Sequence, residues 1–463
     1  MNTKILLPVF IFLLLLTIFS INIPFFWDGT FFSGLSLYFY DNGFNGFIAP
    51  QGNDTGGFPL FSAYLTFMWK CFGKTLLVSH IAMLPFLIGI AYEYFKLAKR
   101  FVSKATIIFS MCLLLIEPVF ITQSILMGYD IAIAYFFLLA LNALYDKKKP
   151  FLSIAILLLC MISVRGIMLT AALLLIDLLR NKKVSFVIIR AYLPAVIVLL
   201  CWAFYHNYQT GWYIFSPLRE DNAEQFGGVK MMFRQLLYIG WKNVDLGRIT
   251  LWALFILATI YHLRKKALPL MKDLLQLVVI PLIVLSICMI LIRNPIGHKY
   301  FLTIFLLLNI AVCYVIDRFE NKKIKLILSL LLAISLLAGN FTMYPQRYGN
   351  SWDSSLKVIP YFELNKQMHK YILSSKINAD EVGTQFPFTS DSRFSYLTNA
   401  SYQYIDIENK PASSFRYFLY SNVINTNRIT ELEEIKRSWI EEQKFESGLV
   451  TLTLYRNPNA SPF

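Results

Sequence analysis

The stretch KKKPFLSIAILLLCMISVRGIMLTAALLLIDLLRNKK, residues 147–183, decides how this chain is threaded. Its apolar part, Phe151 to Leu179, reads either as one long helix or as two short ones joined at Arg165-Gly166. Each half has roughly 14 residues and reaches about 21 Å at about 1.5 Å per residue, short of a hydrocarbon core of roughly 30 Å. The flanking charge favours two helices. A single span would place either Lys147, Lys148 and Lys149 or Arg180, Lys182 and Lys183 outside the cell, against the positive-inside tendency. A hairpin keeps both clusters in the cytoplasm and Arg165 at the opposite tip.

The rest of the chain follows the same logic. Of 463 residues, 57% are hydrophobic and only 15% charged, with a mean hydropathy of +0.54, too little polar surface for a soluble protein of this length. The formal charge of +15 comes from short Lys and Arg clusters between apolar runs, which act as topology signals and leave no basic patch for nucleic acid. The six cysteines have no paired or metal-like spacing. Lys4 with Ile5 to Phe19 resembles a signal peptide, but bulky residues follow and no small-x-small cleavage site occurs, so the segment reads as a retained first span.

Further apolar segments lie at 5–23, 75–95, 105–125, 130–145, 187–206, 249–263, 274–292, 300–316 and 325–343. With the hairpin they give about 11 transmembrane helices, a cytoplasmic N-terminus and a common side for the remaining basic clusters. The fold class expected is mainly α: a polytopic membrane protein, of bacterial inner-membrane type, spanning residues 1–345. Its first outer loop, residues 24–74, carries aromatic amphipathic segments at Gly29 to Tyr40 and Phe58 to Phe72, suited to helices lying in the interface. Residues 346–463 turn polar and read as a small extracytoplasmic α/β domain. Helical patterns run near Tyr361 to Ser374 and Ile429 to Gln443, and strand-like runs at Tyr402 to Ile407 and Leu449 to Tyr455. No inverted repeat of the secondary-transporter kind is visible.

On this topology Asp28, Asp54, Asp130, Arg165, Arg293, His298 and Lys299 share the outer face. A carboxylate there can take the proton of an acceptor hydroxyl, and cations can hold a phosphate as it leaves. Each residue also has a plainer role. Asp28 and Asp130 fit helix N-caps, Arg165 can snorkel, Arg293 and Lys299 can anchor headgroups, and His298 can be a solvated loop residue. Glu117, before Pro118 inside a span, is an intramembrane acid that is either functional or paired with a neighbouring helix. Asp177 with Arg180 and Glu93 with Lys96 have the i, i+3 spacing of local ion pairs.

The order of these features resembles the membrane-integral C-type glycosyltransferases, in the branch of protein O-mannosyltransferases and bacterial aminoarabinose lipid A transferases. Trp27-Asp28-Gly29 stands where that branch opens its first outer loop with an acidic motif, although Gly29 takes the place of a frequent second acid. Gly56-Gly57-Phe58-Pro59-Leu60-Phe61 with Trp69-Lys70-Cys71-Phe72-Gly73 resembles the His-Pro-Pro-Leu segment and its Lys-Leu-Phe-Gly ending, without the His and first Pro. Met127-Gly128-Tyr129-Asp130 resembles the second outer-loop acid, Ser163-Val164-Arg165-Gly166 the basic pair, and His298-Lys299-Tyr300 the late motif that helps bind the lipid phosphate.

The resemblance covers roughly residues 1–320. It implies transfer of a sugar from a polyprenyl-phosphate carrier to an acceptor on protein, lipid or glycan, in contact with membrane lipids and without nucleic acid. By the same resemblance Asp28 is the catalytic base and Asp130 assists it. From their shared place at the outer face, Arg165, Lys299, Tyr300, Arg293 and His298 are expected to hold the donor phosphate, and Trp27 and Asp54 to line the acceptor groove. No cofactor is certain; acids alone could take Mg²⁺ or Mn²⁺, and the metal set is unknown. An outer-face glycan polymerase or ligase and a lipid-linked sugar transporter are the alternatives.

Overall fold

The computed structural model describes residues 3–50, 54, 56–182, 186–213, 228–291, 296–344, 351–407, 410–411, 414–424 and 429–460. The chain is an integral membrane protein and mostly helical. Its first part comprises α1 (Leu6–Ser20), α2 (Asp28–Asn42), α3 (Leu60–Phe72), α4 (Leu76–Ala98), α5 (Lys104–Ile116), α6 (Pro118–Ile125), α7 (Asp130–Tyr145) and α8 (Lys149–Ile162). There follow α9 (Val164–Asn181), α10 (Phe186–Thr210), α11 (Val229–Val244), α12 (Ile249–Lys265), α13 (Met271–Leu291), α14 (Leu302–Asp317) and α15 (Lys322–Gly339).

Every apolar segment read from the sequence is helical, but length and apolarity together qualify fewer as crossings. Among the described residues four helices are long and apolar enough, or up to six if the bent pairs α5–α6 and α11–α12 each count as one. The others are short or carry charges. Helix α11 lies between the apolar segments 187–206 and 249–263, where no helix was expected.

The 147–183 stretch forms two helices broken at Ser163, whose backbone is extended and whose hydroxyl caps α9 by accepting from Gly166 N at 3.3 Å. They pack antiparallel: Lys149 at the start of α8 reaches Asp177 near the end of α9 at 3.0 Å. Asp177 therefore pairs across the hairpin and not with Arg180, which reaches Asp273 at 3.8 Å instead. Glu93 likewise takes the side-chain amide of Asn142 at 2.7 Å, while Lys96 pairs with Asp146 at 2.6 Å. Tertiary neighbours outcompete the i, i+3 partners because packing brings them closer than one helical turn does.

After α15 the chain builds α16 (Ile359–Ser374), β1 (Val382–Thr384), α17 (Ser392–Ser395), β2 (Ile405–Asp406), β3 (Tyr417–Ser421), α18 (Ile429–Ser438), β4 (Ile440–Ser447) and β5 (Val450–Arg456). The sheet order is β2-β1-β3-β5-β4, with β1 parallel to its neighbours and β3, β5 and β4 antiparallel. The expected helix through Gln443 stops at Ser438, where an exposed strand begins; β1, β3 and β4 carried no clear alternation in the sequence. The core of this unit, with Met368, Ile372, Leu419, Leu452 and Leu454, extends into the helical part through Phe26, Ile125 and Leu126. The Phe26 ring lies 5.3 Å from Tyr361 and 5.5 Å from Phe362, so the seam between the two parts runs beside Asp28.

Two helix breaks are tied together inside the membrane part. Pro118 disfavours helical backbone at Glu117, which turns extended and bends α5 to α6 by 53°. Glu117 Oε2 then caps α6 by accepting from Phe120 N at 2.6 Å, and Oε1 accepts from Arg248 Nε at 2.9 Å and Nη2 at 2.5 Å. Arg248 sits at the 97° turn between α11 and α12, with its guanidinium 3.7 Å from the Phe305 ring centroid. Gly247, at φ +81°, and Gly339 let that turn press against α15, where a Cβ would fall about 2 Å from backbone oxygens.

Breaking such a buried pair from one side strands a charge, at a cost of about 3 to 5 kcal/mol, whereas removing both partners is far milder. Arg248→Met alone is expected to destabilise the protein by that amount, with Glu117→Leu/Arg248→Met recovering most of it in detergent unfolding experiments. Additive losses in the double variant would show that the two side chains are not coupled.

Candidate active site

The cleft at the seam is built from helix starts. Trp27, at φ 51° and ψ −127°, makes the sharp entry into α2, so Asp28 is its first residue. Asp130 is likewise the first residue of α7, reached through the tight turn at Met127-Gly128. A Cβ at Gly128 would meet Gln123 Oε1 at 1.7 Å, so a larger residue there would force the Gln123 side chain to move. Helix N-termini favour carboxylates, so both positions suit acids before any partner is considered. Lys299 enters from the turn His298–Phe301 that leads into α14.

The charges close on one another. Lys299 Nζ lies 2.7 Å from Asp28 Oδ2 and 2.7 Å from Asp353 Oδ2. Arg165 donates to Asp130 Oδ1 and to the Tyr129 hydroxyl oxygen, and its guanidinium lies 4.8 Å from the Tyr129 ring centroid and 4.0 Å from that of Tyr300. Arg165 stands in the first turn of α9, where the helix dipole disfavours a cation; Asp130 and the two tyrosine rings outweigh this. Asp130 Oδ2 is buried without a hydrogen-bond partner among the described residues. Phe26, Asp28, Gln123, Tyr129, Asp130, Lys299 and Asp353 line the cavity, which at about 10 Å³ has room for about one water molecule.

Burial would raise the Asp353 carboxyl, but the Lys299 ammonium and the hydrogen bonds to its oxygens outweigh this and hold it below the ordinary aspartate range. The Asp28 side chain is 36% exposed against 10% for Asp353, which makes Asp28 the acid that an incoming molecule can reach.

Of the residues singled out from the sequence, the fold gathers Asp28, Asp130, Arg165, Lys299 and Tyr300. Trp27 stands beside them, its ring 5.8 Å from Phe26 and 6.1 Å from Phe386. His298 turns away behind Lys299, with Nε2 2.8 Å from Asp245 Oδ2 and 3.3 Å from Ser351 Oγ. Asp54 is not among the cleft-lining residues. It accepts from Gly56 N at 2.8 Å and pairs with His206 at 2.8 Å, pinning the first loop to α10. Arg293 lies outside the described residues.

The sequence reading missed Asp353, Asp245 and the part played by Tyr129. One signal was available for Asp353. Trp352-Asp353 follows α15 much as Trp27-Asp28 follows α1, and these two acids meet on the same lysine. Among the described residues no group of three His, Cys, Asp or Glu side chains could hold a metal ion, and Lys299 fills the space between Asp28 and Asp353 that a divalent cation would take. The residues therefore do not fit a metal in this arrangement.

Arg165→Lys keeps the charge but loses the planar fork and the stacking on two rings. It is expected to lower stability by about 1 to 3 kcal/mol, read from thermal unfolding in detergent. An unchanged melting temperature would mean that charge alone holds this part of the cleft.

No protein-family model matches the chain, and no curated protein matches it. Its fold is similar to the crystal structure of ArnT from Cupriavidus metallidurans bound to undecaprenyl phosphate, over 98% of this chain and 99% of that one, at 12% sequence identity and a TM-score of 0.49.

Proposed function

We propose that this chain is a glycosyltransferase that moves a sugar from a polyprenyl-phosphate donor to an acceptor hydroxyl at the outer face of the membrane. The observation that carries the reading is the contact of Asp28 with Lys299 at 2.7 Å, in a cleft whose other cation, Arg165, is held by Asp130. A reachable carboxylate next to a buried ammonium is the pair such a displacement needs: one group to take a proton, one to hold a leaving phosphate.

In this mechanism the acceptor oxygen attacks the anomeric carbon, and the bond between that carbon and the phosphate oxygen breaks. Asp28 takes the hydroxyl proton. The leaving polyprenyl phosphate keeps the bonding electron pair, and Lys299 offsets its charge, with Arg165 and Tyr300 completing the phosphate side. Asp130 Oδ2, which has no partner among the described residues, is aimed to orient the acceptor. An apolar cavity of about 260 Å³, lined by residues including Phe12, Leu115, Ile121 and Leu337, shares α6 with the charged cleft, which Gln123 lines, and supports access for a lipid chain from the side. The C-terminal unit covers the cleft and contributes to acceptor choice.

General-base assistance is typically worth about 10² to 10⁴ in rate. Asp28→Asn is expected to lose turnover by that factor in proteoliposomes supplied with a polyprenyl-phosphate sugar, with assembly and thermal stability retained. Near-normal transfer by the well-folded variant would remove Asp28 from the mechanism, and translocation of the lipid-linked sugar without transfer would favour a transporter.

A further inference from the structure

The second acid on Lys299 raises a question of charge. Asp28 and Asp353 each lie 2.7 Å from the same nitrogen, and Lys299 is only 5% exposed, so two anionic groups already share the one ammonium in direct contact with them. A sugar phosphodiester brings another. Three anions around one buried ammonium repel strongly where water is scarce, so phosphate and both carboxylates do not share it. Space gives the same answer independently: the cavity holds about one water molecule, and a phosphate group does not fit.

Something must therefore withdraw when the donor enters. Asp28 and Asp130 are fixed at the starts of α2 and α7, whereas Asp353 rides on the short turn Trp352–Ser354. Ser351 just before it has φ 58° and ψ 39°, a left-handed conformation that is strained for serine. The turn is held on its two sides by different parts of the molecule. The Gln123 side chain of α6 donates to the Asp353 carbonyl at 2.6 Å, and the Trp352 indole donates to Asn422 O, beyond β3, at 3.0 Å.

We propose that Asp353 is a latch: its carboxylate occupies the donor-phosphate position on Lys299, and the phosphate takes its place when the Trp352–Ser354 turn withdraws. The exchange replaces one anion by another, so the charge around Lys299 is conserved while Asp28 stays in place. The latch also couples the C-terminal unit to donor binding, because the turn that moves is tied to Asn422. This inference rests on the donor reading given above.

The test is binding of polyprenyl phosphate alone to the full-length protein in detergent, for wild type, Asp353→Asn, Gln123→Leu and Lys299→Ala. Removing the competing charge is expected to tighten binding by roughly 5- to 150-fold in Asp353→Asn. Gln123→Leu keeps every charge and removes the hydrogen bond that holds the turn, so a smaller gain is expected and serves if the first variant misfolds. Lys299→Ala is expected to abolish binding. Unchanged or weaker binding in both Asp353→Asn and Gln123→Leu, with wild type binding through Lys299, overturns the latch and leaves the donor reading standing. Failure of wild type to bind polyprenyl phosphate removes the donor reading and the latch with it.

Discussion

A buried ammonium must be neutralised where it sits, and much of this molecule is arranged around that requirement at Lys299. Its two carboxylates come from opposite ends of the chain, Asp28 at the start of α2 and Asp353 beyond α15. For both to reach one nitrogen, the sheet-bearing C-terminal part has to seat on the helices at that point. The apolar seam provides the seating: Phe26 packs on Tyr361 and Phe362, and Ile125 and Leu126 join the same core. Burial of these rings supplies the non-directional attraction, and the ion pairs fix the register.

The polar groups behind the cleft follow the broken helices. A helix that breaks within an apolar region leaves backbone groups without partners, and the α5–α6 and α11–α12 breaks each recruit a charged side chain to serve them. Glu117 caps α6 and holds Arg248, and the Arg248 Nη1 donates to Asp245 O at 3.0 Å. The Asp245 carboxylate accepts from His298 and from the Tyr344 hydroxyl at 2.9 Å. His298 precedes Lys299 in the chain, so this second layer of pairs sets the position of the turn that presents the lysine. The fold thus uses its helix interruptions as mounting points for the site.

What could be read in advance depended on where each residue stood. Asp28, Asp130, Arg165 and Lys299 each interrupt or border an apolar run, so their expense in a membrane made them conspicuous. Asp245 and Asp353 sit in polar turns where an acid is ordinary; Asp353 carried only the Trp-Asp pairing it shares with Trp27-Asp28, and Asp245 carried no local signal. His298 shared its neighbour's motif yet faces Asp245, because adjacent residues in a tight helical turn point to different sides. Asp54 shared the expected face but took a histidine of α10 as its partner. The β-strands of the C-terminal part were the least legible. Strand β3 is buried throughout and β4 largely exposed, so neither shows the alternation that marks a half-buried strand.

By itself, then, the sequence determined that the chain lies in a membrane, where its apolar helices run, and that acids and bases collect at their ends, because hydrophobic length and charge placement are local properties of the chain. It also determined that Gly29 leaves the Trp27-Asp28 motif with a single carboxylate. Only the tertiary structure decided that a second one reaches the same lysine from Asp353, that Arg165 is clamped between two tyrosines, and that Glu117 belongs to Arg248. Those choices rest on contacts between segments far apart in sequence, selected by which burial leaves no charge alone, and no local pattern encodes that balance.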